Sequence, residues 1–215
     1  MGDTQLSHFL AKILRHEALN RGLQVSEDGY VDVEEILELH EASNKSEDDV
    51  RRIVKNDGKK RFSLKEGLKL QIKATQGHSI KIPKPELTLV THATQVRCAL
   101  HGTRSRNWET IKSEGISKMG RTHIHFAQGE RGVRSGFPPY CDMAIEIDVE
   151  KAMKDGIKFY ISENDVVLTE GKGGFISKTY FKTAYKLASS KCYCIKFCLV
   201  KKQIHVYPLC KEYFS

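Results

Sequence analysis

The spacing of apolar residues changes period near residue 82 of this 215-residue chain, so its two halves need different architectures. In the first half, Leu6, Phe9, Leu10, Ile13 and Leu14 fall at helical spacing. They predict a helix that buries this face and ends near Gly22. Asp28-Gly29 marks a turn, and Tyr30-Val31 reads as a short strand. Asp32 is expected to cap a second helix, with Glu35 at the capping-box position and Ile36, Leu37 and Leu39 on its apolar side. Ser46 and Asp49 repeat that signature before Val50, Ile53 and Val54, a third helix that stops at Asn56-Asp57-Gly58. Residues 62–64 and 68–74 then predict a hairpin across Lys65-Glu66-Gly67. Helix, short strand, two helices and a hairpin is the order of a winged-helix unit, over 1–82.

Pro83, Pro85 and weak periodicity predict a linker over 83–96. Beyond it come short stretches joined by glycine. They predict strands over 97–100, 123–126, 143–148, 158–162 and 165–169, with helices over 108–113 and 149–154. Residues 97–215 therefore read as a separate α+β lobe with antiparallel character. No apolar run approaches the roughly 20 residues that span a bilayer, so no membrane partner is expected. MGDTQLSHFL has no basic stretch followed by an apolar one. A cytoplasmic or nuclear location is expected, with the six cysteines as reduced thiols.

The net charge is +8, and it is segregated. Between Leu19 and Val50 stand ten acidic side chains and two basic ones; between Arg51 and Lys84 stand eleven basic side chains and two acidic ones. From Gly171 to Ser215 there are nine lysines and one acid, Glu212. Segregated basic patches suit a phosphate-rich partner, and they equally describe a solvated lysine face.

Five groups of residues could carry chemistry. Arg15 and His16 close the first helix, where a cation and an imidazole also favour the helix dipole. Lys59, Lys60 and Arg61 precede a strand and cannot all be buried, so one at least faces solvent or an anion. Lys73, Gly77, His78 and Ser79 lie where the hairpin closes, with a glycine for close approach and donors for phosphate oxygens. His101, Gly102 and Thr103 follow an apolar strand, where a glycine opens the backbone to a planar amide and His101 can bond a ribose hydroxyl. Arg121 precedes His123 and His125, an i, i+2 pair that fits zinc only with further ligands. Arg121 itself can grip phosphate through two nitrogens. Cys192, Cys194, Cys198, His205 and Cys210 lack paired CxxC spacing and read as an apolar strand, so no metal is expected.

In series, LSHFLAKILRH, DGYVDVEEIL, KKRFSL, IKATQGHS, HGT and GRTHIHFA resemble the tRNA 2′-phosphotransferase family (the KptA group). A looser match runs from CDMAIEID to GGFISKTYF, and the resemblance covers roughly residues 5–185. It implies a winged-helix-like N-terminal lobe and an ADP-ribosyltransferase-like, mixed α/β C-terminal lobe that binds NAD⁺. It implies that Arg15, His16, Arg61 and Arg121 form the catalytic set. His101, Gly102, Thr103, His78 and Ser79 would hold NAD⁺, with Lys73, Arg61 and Arg121 on the substrate phosphate. The implied partner is 2′-phosphorylated RNA, as tRNA, acted on by a monomer without metal. The chain departs from the family after Gly136, where Phe137-Pro138-Pro139 stands in place of a frequent arginine; Arg131 and Arg134 are nearby cations. The tail, 187–215, matches nothing in the family. Two other readings stay open: an ADP-ribosyltransferase acting on terminal nucleic-acid phosphates or protein, and a non-catalytic winged-helix nucleic-acid-binding protein.

Overall fold

The computed structural model describes residues 1–130, 137, 138 and 140–187, together with the backbone of 196–197. Helix α1 (Asp3–Lys12) buries Leu6 and Leu10. Its continuation widens into a π-helical turn, Ile13–Glu17, closed by the Ala18 N–H donating to the Ile13 carbonyl at 2.9 Å. A 3₁₀ turn (Leu19–Arg21) follows, and Gly22 ends the run at φ +76°, a left-handed conformation that costs glycine little. Periodicity located this stretch and its stop. The π turn was invisible to it, because Ile13 and Leu14 are apolar and buried whichever way the backbone winds.

The remaining first-half elements are β1 (Val31–Asp32), α2 (Val33–Leu37), α3 (Glu47–Asn56), β2 (Phe62–Lys65) and β3 (Gln71–Ala74). The strands pair antiparallel in the order β1-β3-β2, with Ile72 opposite both Val31 and Leu64. At α3 the expected capping box forms: Ser46 Oγ accepts the Asp49 N–H at 3.3 Å, and Asp49 Oδ2 accepts the Ser46 N–H at 3.0 Å. At α2 it does not. Asp32 stands at the cap, but its carboxylate accepts from Gln71 Nε2 at 2.7 Å and pairs with Lys69 at 3.3 Å, while Glu35 accepts the Gln24 N–H at 2.9 Å. A side-chain amide from β3 and the Lys69 cation just before that strand outcompete the backbone donors. Leu10, Ile13, Val33, Ile36, Val50 and Ile72 are fully buried in the resulting cluster. Each such side chain is worth about 1.5–3 kcal/mol of burial, which lets short helices persist.

The second half contains β4 (Leu87–Leu89), β5 (Leu100–Thr103), α4 (Trp108–Glu114), β6 (Ile116–Ser117), β7 (Ile124–Phe126) and β8 (Met143–Ile147). It continues with α5 (Val149–Lys154), β9 (Tyr160–Ser162), β10 (Val167–Thr169), β11 (Phe175–Ile176), β12 (Phe181–Lys186) and β13 (Lys196–Phe197). Antiparallel sheets run β4-β9-β10-β7 and β13-β12-β8-β5, with a separate β11-β6 pair. The whole is an α+β arrangement. The stretch expected as a linker is a partial exception: β4 lies within it, Leu87 facing Ser162 and Leu89 facing Tyr160. Val90 follows into the second core, its N–H bonded to the Phe159 carbonyl at 2.9 Å. Pro83 and Pro85 precede this strand, where a missing N–H breaks no ladder.

The two clusters, one drawn from residues 6–74 and the other from 90–184, meet through polar contacts. The Thr122 N–H donates to the His78 carbonyl at 3.0 Å, and Asn164 Nδ2 donates to the Lys59 carbonyl at 3.1 Å. Much of the charge segregation also resolves internally. Arg51 pairs with Glu47, Asp48 and Glu66, Arg52 with Asp3 and Asp49, Lys69 with Asp32 and Glu34, and Lys84 with Glu27.

Candidate active site

The π turn delivers Arg15 and His16 to the junction of the two clusters. The Arg15 carbonyl is bonded from outside the helix, accepting the Ser79 N–H at 2.9 Å and the Ile80 N–H at 3.4 Å. Gly77, at φ +90°, lets that strand end pass close: a Cβ built there would lie 3.3 Å from Arg15 Nε. The Arg15 side chain is thereby enclosed, and its Nε and Nη2 are buried without a hydrogen-bond partner among the described residues. Burial, then the charges of Arg121 and Arg61, push its pKa down to about 10, with Asp57 opposing weakly. A buried guanidinium lacking acceptors is costly to leave so, and an anion is what would satisfy it.

His16 Nδ1 lies 2.9 Å from Ser79 Oγ. Burial, then Arg121 and Arg15, hold its pKa below the ordinary histidine value, so it is neutral at physiological pH. With a hydrogen on Nδ1 donated to Ser79, Nε2 is left as a proton acceptor. A cavity of about 540 Å³ is lined by His16, Ser79, His101, Arg121, His123 and His125. Arg121 enters it after a turn at Met119 (φ +53°), its N–H bonded to the Lys118 carbonyl at 3.1 Å. It is exposed and has no carboxylate partner among the described residues. His101 Nδ1 stands 3.5 Å from the His125 carbonyl oxygen. The cavity thus presents two cations, Arg121 and Lys118, four imidazoles whose pKa values are all held down by burial, and the Ser79 hydroxyl: a setting for an anion and for proton transfer.

The family model described as RNA 2′-phosphotransferase, Tpt1 / KptA family, matches residues 1–171. The chain belongs to this family. It is a transferase by that membership. It is 44% identical over 199 residues to tRNA 2′-phosphotransferase 1 of Danio rerio, covering 88% of each chain. The proteins of the same name from Mus musculus and Homo sapiens are each 41% identical over 197 residues, which is 88% of this chain and 79% and 78% of theirs.

Not every residue singled out from the sequence of this family member gathers at the cavity. Arg61 faces a smaller one, about 210 Å³, with Ser7, His8 and Asp57. Its Nε donates to Asp57 Oδ1 at 3.0 Å and its Nη2 to Ser7 Oγ at 3.2 Å, yet its charge still reaches Arg15. Asp57, read from sequence only as a helix stop, is the buried carboxylate that aims Arg61; an acid inside a basic run was its one signal. Lys73 is buried between Glu86 and Glu163, the latter at 3.2 Å, and sits over the Tyr30 ring. Burial pulls its pKa down, but bonds to both carboxylates more than offset this. Thr103 is buried, its Oγ1 accepting from Asn107 Nδ2 at 3.2 Å. Gly102 is covered by Phe137: a Cβ on it would lie 2.5 Å from the ring. The departure from the family pattern is therefore an aromatic ring packed on the glycine. His78 lines a different cavity, taken up below. Arg131, Arg134, Pro139 and the tail cysteines lie outside the described residues.

Two buried histidines make stability depend on pH. Burial, then Arg15, pushes His78 down to about 4; burial, then Arg121 and Arg15, pushes His125 down to about 3. Both are neutral when folded, whereas the unfolded chain takes up their protons below about pH 6.5. Their contribution is present above that pH and lost as pH falls towards 4 and 3, by at most about 1.4 kcal/mol per pH unit each. The melting temperature is expected to fall between pH 7 and pH 5, and His125→Asn to shallow that slope. A melting temperature level across the window in both proteins contradicts burial of neutral imidazoles.

Proposed function

We propose that the chain removes the internal 2′-phosphate left in spliced tRNA, with NAD⁺ as co-substrate. The route runs through an RNA–phospho–ADP-ribose intermediate and releases nicotinamide and ADP-ribose 1″,2″-cyclic phosphate. What carries this reading is Arg15, buried with two unpartnered nitrogens and in the field of Arg61 and Arg121. A site of guanidiniums rather than carboxylates suits a nucleophile already anionic at neutral pH, which needs no base to create it. The relatives from Danio rerio and Homo sapiens, each a tRNA 2′-phosphotransferase 1, agree with the substrate class.

NAD⁺ supplies an anomeric carbon with nicotinamide as leaving group. The residues present fit it: about 540 Å³ is within the range of cofactor sites, roughly 300–1,000 Å³. His101 offers a ribose hydroxyl a hydrogen-bond partner. Arg15 and Arg121 hold the RNA phosphate against its repulsion from the pyrophosphate, and then offset charge on the crowded phosphorus. His16, neutral at pH 7, accepts the proton of the ADP-ribose 2″-hydroxyl as that oxygen attacks phosphorus. In this reading 1–82 is a winged-helix-like lobe presenting RNA and 97–215 an ADP-ribosyltransferase-like lobe holding NAD⁺. It acts as a monomer in cytoplasm or nucleus, and the chemistry needs no metal.

The test is incubation of a 2′-phosphorylated RNA oligonucleotide with NAD⁺, followed by mass analysis of both products. RNA lighter by one phosphate and free nicotinamide are expected. No nicotinamide release would leave a nucleic-acid-binding protein, and ADP-ribose retained on a terminal phosphate would make it a different transferase.

Salt dependence follows from the internal pairing. Of the eleven cations between Arg51 and Lys84, only Lys55, Lys59, Lys60 and Lys81 have neither a carboxylate nor an aromatic partner among the described residues. Four phosphate contacts from this segment contribute about −3 to the log–log slope of RNA affinity against salt, where eleven would contribute about −8. Affinity indifferent to salt would reduce these lysines to a solvated face.

A further inference from the structure

A second cavity, of about 510 Å³, takes its walls from both halves of the chain and shares Lys118 and His123 with the Arg121 cavity. We propose that it receives the base of a nucleotide flanking the RNA 2′-phosphate, and prefers a base with an exocyclic amine to uracil. This rests on the RNA reading above and adds a subsite to it.

The walls have the composition of a base pocket. The His123 and Tyr160 rings meet edge to face, 6.2 Å apart at 75°, and Ile80, Leu87 and Leu168 add apolar surface. Unstacked RNA bases are characteristically received by such rings, with their edges hydrogen-bonded. The polar groups choose between a base and a phosphate. Glu86 and Glu163 line the cavity with Asp28 and Glu170, and carboxylates repel phosphate oxygens but accept from amines such as cytosine N4. The lining cations do not reverse this balance: the Lys73 ammonium is buried and already bonded to Glu86 and Glu163, and the other two, Lys81 and Lys118, are outnumbered by the four carboxylates. Lys73 instead fixes Glu86 and Glu163. One polar atom of the wall is left over: His78, 9% exposed, lines the cavity with Nε2 buried and without a partner among the described residues. A base edge, which carries both donors and acceptors, would satisfy it. Because Lys118 and His123 line both cavities, the two adjoin, and a nucleotide next to the one gripped by Arg121 comes within reach of this pocket.

The test is direct binding of short 2′-phosphorylated oligonucleotides without NAD⁺, read by fluorescence anisotropy, with each flanking base removed in turn. Base removal on one side is expected to weaken binding about tenfold or more, the usual scale for a stacked base. Cytosine or adenine there should bind more tightly than uracil, with Glu163→Gln narrowing the difference. In Tyr160→Ala the abasic and complete oligonucleotides should bind nearly alike. Equal affinity for abasic and complete oligonucleotides at every position overturns the site. So does a Tyr160→Ala protein that binds RNA normally but has a raised KM for NAD⁺, which would assign the cavity to the dinucleotide. Nicotinamide release is measured alongside on the complete oligonucleotide: its absence sinks the proposed reaction, whereas the binding series alone decides the base pocket.

Discussion

Arg121→Ala is expected to lower kcat/KM for NAD⁺-dependent loss of the RNA 2′-phosphate by about 10²–10³-fold, the scale on which one preorganised donor matters to developing charge. Arg121 is exposed, lines the cavity and has no carboxylate partner among the described residues, so its removal leaves no buried acid behind. The melting temperature should not move. Arg61→Ala is a less clean experiment: it strands Asp57, whose side chain is 4% exposed, and so damages stability as well as rate. Arg121→Lys restores the charge but not the two-nitrogen grip, and only partial recovery is expected. Near-normal turnover in a folded Arg121→Ala protein would mean that the phosphate is held elsewhere.

His16→Ala is expected to divide the reaction in two. Joining the RNA phosphate to ADP-ribose requires only that an anion be aimed at the anomeric carbon, a task for the guanidiniums. Resolving the adduct requires a hydroxyl to lose its proton. The arginines cannot take that proton at neutral pH, while His16, held below the ordinary histidine pKa by burial and two nearby guanidiniums, can. The second step should slow by about 10²–10⁴-fold, the contribution usual for a positioned base, and more than the first. RNA heavier by one ADP-ribosyl group should accumulate, with nicotinamide already released, in a single-turnover experiment read by mass. Ser79→Ala should give a milder form, since Ser79 Oγ is the partner of His16 Nδ1 at 2.9 Å. A His16→Ala protein that stalls before nicotinamide leaves would move His16 to the first step.

Local pattern carried most of the secondary structure. The α3 capping box, the stop at Gly22 and the full extent of α5 were all legible, because each depends on residues within one or two turns of each other. Misreadings arose where a distant partner intervened. Residues 83–96 contain two prolines and little periodicity, yet β9 supplies the ladder that makes 87–89 a strand. Asp32 has a helix cap's position and a lysine's partnership. The basic run from Arg51 reads as a phosphate-binding face until the acids of α3 and its neighbours are seen to pair with Arg51 and Arg52.

The amino-acid sequence by itself determined the period of each half, the α+β class and the set of arginines and histidines available for chemistry. These follow from side-chain type and spacing, which are local. The resemblance carried in seven segments was legible too, and the family match agrees with it. Only the tertiary structure decided how those residues are used. Arg15 is an orphaned cation because Gly77 and Ser79, more than 60 positions along the chain, close over a π turn. Lys73 is paired with Glu86 and Glu163, Arg61 is aimed by Asp57, and Gly102 lies beneath Phe137. Burial and charge pairing depend on which surfaces meet, and that is a property of the packed chain that no spacing along it encodes.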